Sequence, residues 1–183
     1  MNEADLIGRV RNGDARAYDL LVEQHRQAVF RLAYLLLGDP DDADDVAQET
    51  FIHAFRSLHR FDESRPMRPW LLQITTNLAR NHHRSVKRYV GALQRLVWSN
   101  PEQFVETSSK DTEVDDSQAL WHAVKQLGRP GQEIIYLRYF LELSEAEIAQ
   151  SLAIAPGTVK SRLHRALGRL RSVMTDSNER GRG

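Results

Sequence analysis

The chain has 183 residues, 41% of them hydrophobic and 27% charged, with 25 basic and 25 acidic side chains in formal balance and no cysteine. This length predicts one ordinary domain or two small ones, and the apolar content is enough for a core. Without cysteine, disulfides, thiolate metal sites and thiol nucleophiles are excluded, and no apolar run approaches the ~18 residues that a membrane span needs.

In chain order, the start MNEADLIGRV lacks the basic-then-apolar order of a signal peptide, which predicts a cytoplasmic protein. Leu6, Ile7 and Val10 predict a short first helix. Tyr18, Leu21, Val22, Val29, Leu32, Ala33 and Leu36 share one face of a long helix that Asp14 caps and Gly38 ends. Asp39-Pro40 opens the next, since proline lacks only an N–H that has no helical partner there. Its acids lie at the positive end of the helix dipole, and Ala43, Val46, Ala47, Phe51, Ala54, Phe55 and Leu58 are expected inward. Pro66 and Pro69 interrupt the chain before a third strong helix with Trp70, Leu71, Ile74 and Leu78 inward. These helices make a unit over residues 1–90.

Residues 91–116 become polar and acidic and predict a flexible linker, with Leu93, Leu96, Val97 and Trp98 fitting either a helix extension or an anchor. Helical pattern returns with Leu120, Val124 and Leu127, and again with Ile134, Ile135, Tyr139 and Phe140 after Gly128 and Pro130. Ser144 and Glu147 form a capping box ahead of Ile148 and Leu152. A turn from Ile154 to Thr158 leads into a last helix striped by Val159, Leu163, Ala166, Leu167, Leu170 and Val173. This second unit spans 117–175 and leaves 176–183 as a disordered tail. The expected fold is all-α: two small helical domains joined by a flexible acidic linker.

The balanced charge hides segregation. Residues 39–49 carry six acids and no base, 56–88 sum to +6, 101–118 to −5, and 156–172 to +5. Blocks of this size predict separate surfaces for different partners, and two basic blocks on helices of different units point to nucleic acid. The short capped helix, tight turn and basic last helix describe a helix-turn-helix, whose second helix reads the major groove with its N-terminal residues. Thr158 places a backbone N–H at the helix start for phosphate, and Lys160, Ser161, His164 and Arg165 project from its first turns towards bases. Arg162 and Arg169 are expected on the DNA backbone.

The earlier basic helix has another composition. Trp70, Gln73, Thr76, Asn77, Arg80, Asn81, Arg84, Lys87 and Arg88 combine an aromatic, amides and guanidinium groups, which suit unstacked bases. Trp70 also fits a core aromatic. Adjacent His82 and His83 point about 100° apart on a helix, so they read as DNA-facing imidazoles and not as a metal pair. The acidic cluster does not match a calcium loop: a loop starting at Asp39 or Asp41 meets Asp44 or Val46 where glycine is needed, and Thr50 or Ile52 where glutamate is needed. It reads as a docking surface for a basic partner, and no cofactor is expected.

DPDDADDVAQETFIHAFRSLHRFD followed by RPWLLQITTNLARNHHR resembles the second conserved region of sigma factors, and LSEAEIAQSLAIAPGTVKSRLHRALGRLR resembles the fourth. With the length and the linker, the chain resembles the extracytoplasmic-function (ECF) group of bacterial sigma factors. The resemblance implies that Asp44, Asp45, Gln48, Glu49 and Phe51 dock on the clamp coiled coil of core RNA polymerase. It implies that the stretch from Trp70 to Arg88 opens and reads the minus-ten promoter element on the non-template strand. Asn77 and Asn81 then line a flipped-base pocket, and the last helix reads the minus-thirty-five element. An anti-sigma protein is the implied regulator. Asn81 stands where many members carry Asp, and Leu127-Gly128-Arg129-Pro130 where many have Leu-Pro, so base preference is not carried over. The function implied is an alternative sigma factor and no enzyme. The alternative is a helix-turn-helix regulator that does not replace the sigma subunit; a metal-dependent hydrolase lacks any phosphate loop, HExxH or nucleophile elbow.

Overall fold

The computed structural model describes residues 2–96 and 116–180, with side chains over 2–83 and 120–175. All regular structure among these residues is helical: α1 (Glu3–Arg11), α2 (Ala15–Leu37), α3 (Pro40–Ser57), α4 (Met67–Leu96), α5 (Asp116–Lys125), α6 (Arg129–Ile135), α7 (Glu145–Leu152) and α8 (Pro156–Arg180).

Local chemistry sets the boundaries. The Asp14 side chain accepts from the Ala17 N–H, and Asp39 accepts from the N–H groups of Asp41 and Asp42 just ahead of the proline-led first turn of α3. Gly38 closes α2 at φ 81°, a left-handed conformation in which an L side chain is strained. In α7 both bonds of the Ser144–Glu147 capping box form, and the Ser144 hydroxyl and N–H, both donating to the Glu147 carboxylate, hold that carboxyl below its ordinary value. α4 continues to Leu96, so its backbone includes Leu93, while Val97 and Trp98 lie outside the described residues. α8 is helical to Arg180, beyond the end expected at residue 175, because the chain carries no breaker after Val173 until its glycines.

The first unit is an α1–α4 bundle whose core joins Leu6, Ile7, Val10, Leu21, Val29, Leu58, Met67 and Leu71. Glu3 ties three helices together: one oxygen pairs with the His25 ring at 2.9 Å, and the other accepts the Met67 N–H at 3.1 Å. Arg11 donates to the carbonyls of Leu58 and Phe61, closing the chain that follows α3.

The second unit differs from its expectation in several details. The helix through Ile134 and Ile135 widens at Tyr136–Phe140 into a π-helical turn, after which Glu142 takes φ 58°. Leu120 is 43% exposed and Tyr139 53% exposed, so neither joins the core predicted for it. The turn between α7 and α8 is made by Ala153 at φ 52°, without the glycine that usually marks such a position.

The two units do not stand apart. Leu32 and Leu35 of α2 and Leu72 of α4 belong to the same buried cluster as Val124, Leu127, Ile134, Leu137, Ile148, Leu152, Val159 and Leu170. α7 packs along α4. Arg68 in α4 donates to the Leu141 carbonyl at 2.9 Å, at the end of the π-helical turn.

Candidate nucleic-acid interface

The last helix presents its basic residues as its period requires. Val159, Ala166, Leu170 and Val173 are buried, which leaves Lys160, Ser161, His164, Arg165 and Arg169 exposed on the opposite side. Thr158 and Arg162 are half-buried at its edge. The Ser161 hydroxyl donates to the Thr158 carbonyl at 3.1 Å, and Arg165 Nε to the Ser161 carbonyl at 3.2 Å, so both are held against the helix until a ligand replaces those bonds. Arg162, Arg165 and Arg169 border an open groove with Gly128, Pro130 and Gly131, and no carboxylate lines it. That is suitable electrostatics for a phosphate backbone beside a groove-reading helix.

The α4 residues are arranged differently. Trp70 is half-buried against Phe61, ring centroids 4.6 Å apart, so the indole is packed as a core aromatic with one edge accessible. Trp70 and Gln73 share a cleft with Arg60, Arg65 and, from the second unit, Gln150 and Ala153. Thr76 departs from its expected role: it is 1% exposed and its hydroxyl donates to the Leu72 carbonyl at 2.8 Å, so it faces no ligand in this arrangement. Arg80 is engaged as well. Its Nε and Nη2 donate to the two carboxylate oxygens of Glu133 in α6, at 2.7 and 2.6 Å, and this pairing raises the guanidinium pKa. Asn77 and Asn81 are exposed. The side chains of Arg84, Lys87 and Arg88 lie outside the described residues.

The two histidines do not both turn outward. His83 Nε2 lies 3.0 Å from the Leu36 carbonyl, which makes it the donor there, and His82 sits 3.3 Å from Asp42 at the start of α3. Packing of α2 and α3 against α4 recruits them as ties between helices.

The outer face of α3 is open. Asp44, Asp45, Gln48 and Glu49 are exposed, with Gln48 donating to Asp44 at 2.7 Å. Phe51 is half-buried, and its carbonyl accepts the Tyr18 hydroxyl at 2.8 Å. Phe55, expected inward, is 54% exposed, and Ile52 is 50% exposed. Alanines 43, 47 and 54 are buried on the inward side of α3, and Phe55 lies off that side along the helix. Phe55 meets Tyr18 edge-on at 5.0 Å. Ile52 and Phe55 follow Gln48 by four and seven residues, the spacing that puts them on one helical face with the acids. Sequence reasoning assigned this face its charges and missed its apolar half; the spacing was the available signal.

Two sequence families match these units: "Sigma-70 region 2" over residues 21–89, and "Sigma-70, region 4" over 117–170. The ECF RNA polymerase sigma factor SigW of Bacillus subtilis is 30% identical, with 93% of this chain and 95% of SigW aligned. The chain belongs to the ECF RNA polymerase sigma factors. The RNA polymerase sigma-H factor of Pseudomonas aeruginosa is another relative of this sigma factor, at 34% identity over 90% of this chain and 89% of the other. Among solved structures, CnrH in complex with the cytosolic domain of CnrY superposes with a TM-score of 0.70 at 25% identity, covering 95% of this chain and 97% of CnrH. The region 2 match contains the open face of α3 and the described basic residues of α4, and the region 4 match contains the helix-turn-helix. ECF sigma factors are not a family of enzymes. No helix among the described residues is long and apolar enough to cross a membrane.

Proposed function

We propose that this sigma factor docks on bacterial core RNA polymerase through the outer face of α3 and carries the enzyme to promoters recognised at two points. The observation that carries the reading is the division of labour among its surfaces: one open face of α3 that is acidic in its first turns and apolar further on, and two separate basic helices. Asp44, Asp45, Gln48 and Glu49 give the docking face its charge; Ile52 and Phe55 supply apolar area at its other end. Phe51 acts there chiefly as support. Residues 1–90 act as region 2, 91–116 as the connection, and 117–175 as region 4.

Trp70, Gln73, Asn77, Arg80 and Asn81, continued by Arg84, Lys87 and Arg88, meet the opened minus-ten strand. Thr158, Lys160, Ser161, Arg162, His164, Arg165 and Arg169 meet the minus-thirty-five duplex. The work is binding without catalysis. Opening a duplex costs roughly 1–2 kcal/mol per stacked step. Capture of an extruded base returns about 1–3 kcal/mol. One or two captured bases therefore offset only part of an opening, and the polymerase supplies the rest. Such work places the protein in the cytoplasm, and an anti-sigma protein is its expected regulator.

Run-off transcription with purified core polymerase and a genomic promoter library tests the reading. The chain is expected to redirect start sites, and the double variant Ile52→Asp/Phe55→Asp to lose core binding while remaining folded. A chain that never joins the core, or joins it and leaves start-site choice unchanged, overturns it.

A further inference from the structure

α1 lies ahead of the region 2 match, which begins at residue 21. Its apolar side is ordinary core, with Leu6, Ile7 and Val10 buried in the bundle. Its two ends carry charged groups that both reach one segment, the connection between α3 and α4. Arg11, the last residue of α1, donates from Nε and Nη2 to the Leu58 carbonyl at 3.2 and 3.0 Å, from Nη2 also to the Phe61 carbonyl, and from Nη1 to the Glu63 carboxylate. Glu3, the first residue of α1, grips the far end of the same connection. One of its oxygens accepts the Met67 N–H at 3.1 Å, while the other is fixed by the His25 ring of α2. Pro66 precedes α4 and has no side-chain oxygen with which to cap it. Glu3 therefore supplies, from another helix, an acceptor for the first turn of α4.

We propose that α1 is a splint for the α3–α4 connection, and that Arg11 is a positioning residue for minus-ten reading, acting through Phe61 on Trp70. The inference rests on the functional reading above and adds to it a residue that touches no DNA. The ends of α1 are about 12 Å apart at 1.5 Å per residue. The stretch from Leu58 to Met67 could extend to about 30 Å. Tied at both ends to one short helix, it cannot lengthen without breaking hydrogen bonds to charged groups, which are the strong ones. The ties fix the approach to the reading face. Phe61, whose carbonyl Arg11 holds, is buried, and its ring lies 4.6 Å from that of Trp70, which presents one edge to the minus-ten strand. Burial of Leu6, Ile7 and Val10 needs neither charged end, so stability by itself does not account for Arg11 and Glu3 meeting the same segment. Arginine suits the task because its planar fork reaches two carbonyls and a carboxylate at once, which the single ammonium of lysine does not.

The test uses the full chain on core polymerase and a single-stranded non-template minus-ten oligonucleotide from a promoter that the run-off screen yields. Arg11→Gln is expected to weaken oligonucleotide binding about tenfold, the size of effect that one lost base–aromatic contact produces. Core affinity and binding of a minus-thirty-five duplex are expected to stay unchanged. Trp70→Leu is expected to weaken oligonucleotide binding by a similar factor. The double variant is expected to lose no more than the larger single loss, because one residue acts through the other. Val10→Ala separates positioning from stability, since it removes buried methyl groups from the same helix and leaves both ties in place. It is expected to lower the unfolding temperature while holding oligonucleotide affinity within about twofold of wild type. If Arg11→Gln does not fold, Arg11→Lys carries the same comparison, with an expected loss of about threefold. Unchanged oligonucleotide affinity in the Arg11 variant overturns the inference, as do Arg11 and Trp70 losses that multiply, or an equal loss in Val10→Ala. If Trp70→Leu itself costs no affinity, the minus-ten reading at Trp70 fails and takes the inference with it. If Trp70→Leu costs affinity and the Arg11 variant does not, the inference alone fails.

Discussion

Two basic helices in one small chain have opposite fates. α8 turns a single-sign face to solvent; α4 has one guanidinium group committed to a carboxylate of the other unit and a neighbouring threonine fully buried. Their compositions do not predict this, since both carry a run of arginines over an apolar stripe. The difference comes from what lies opposite. α7 packs along α4, whereas the outer side of α8 has no covering helix among the described residues. A residue suited to nucleic acid is also suited to an intramolecular carboxylate, and packing decides which of them it meets.

The largest way to disturb this contrast is through the shared core. Leu72 is fully buried on α4 within the cluster that holds the second unit together. Leu72→Ala should destabilise the chain by about 2–5 kcal/mol. In urea unfolding followed by separate probes in each unit, both transitions should move. A shift confined to the first unit would show that the units do not share stability.

A second test sits on the exposed helix. Arg165→Ala should weaken recognition of the upstream element by about 1–3 kcal/mol and relax base choice there, with little effect on opening. Unchanged discrimination at every upstream base in a binding-site selection would remove Arg165 from the reading surface.

The smallest concerns the helix that covers α4. Ser144→Ala should cost about 0.5–2 kcal/mol through loss of the α7 cap. The Glu147 carboxyl lies below its ordinary value because Ser144 bonds it, so its contribution is complete above the ordinary glutamate range and is lost as pH falls through the depressed folded value. Thermal unfolding between neutral and acid pH should therefore fall more steeply for wild type than for Ser144→Ala. Equal slopes would show that the capping box does not set acid stability.

The starts of α2, α3 and α7 with their caps at Asp14, Asp39 and Ser144, and the stripe of α8, were legible because each depends on residues within a turn or two of one another. The open acids of α3 and the outward face of α8 were legible for the same reason. Phe55 was misread because it lies at the edge of the inward side of α3, where its ring meets Tyr18 and still stays 54% exposed. Thr76, His82 and His83 were misread, and the Glu133 partner of Arg80 was missed, because the partners or the packing that buries these groups lie on other helices, beyond any periodic pattern. Ala153 was missed because a left-handed alanine carries no glycine signal.

By itself the amino-acid order determined that the described chain is helical, where its charges gather, and that its last helix is built for the major groove, since period, capping and charge are local properties. Only tertiary structure decided that the two units share a core, that an apolar pair completes the face of α3, and that Arg80 meets Glu133. Each of these depends on groups distant in sequence becoming neighbours, and burial and pairing energies are properties of neighbours in space.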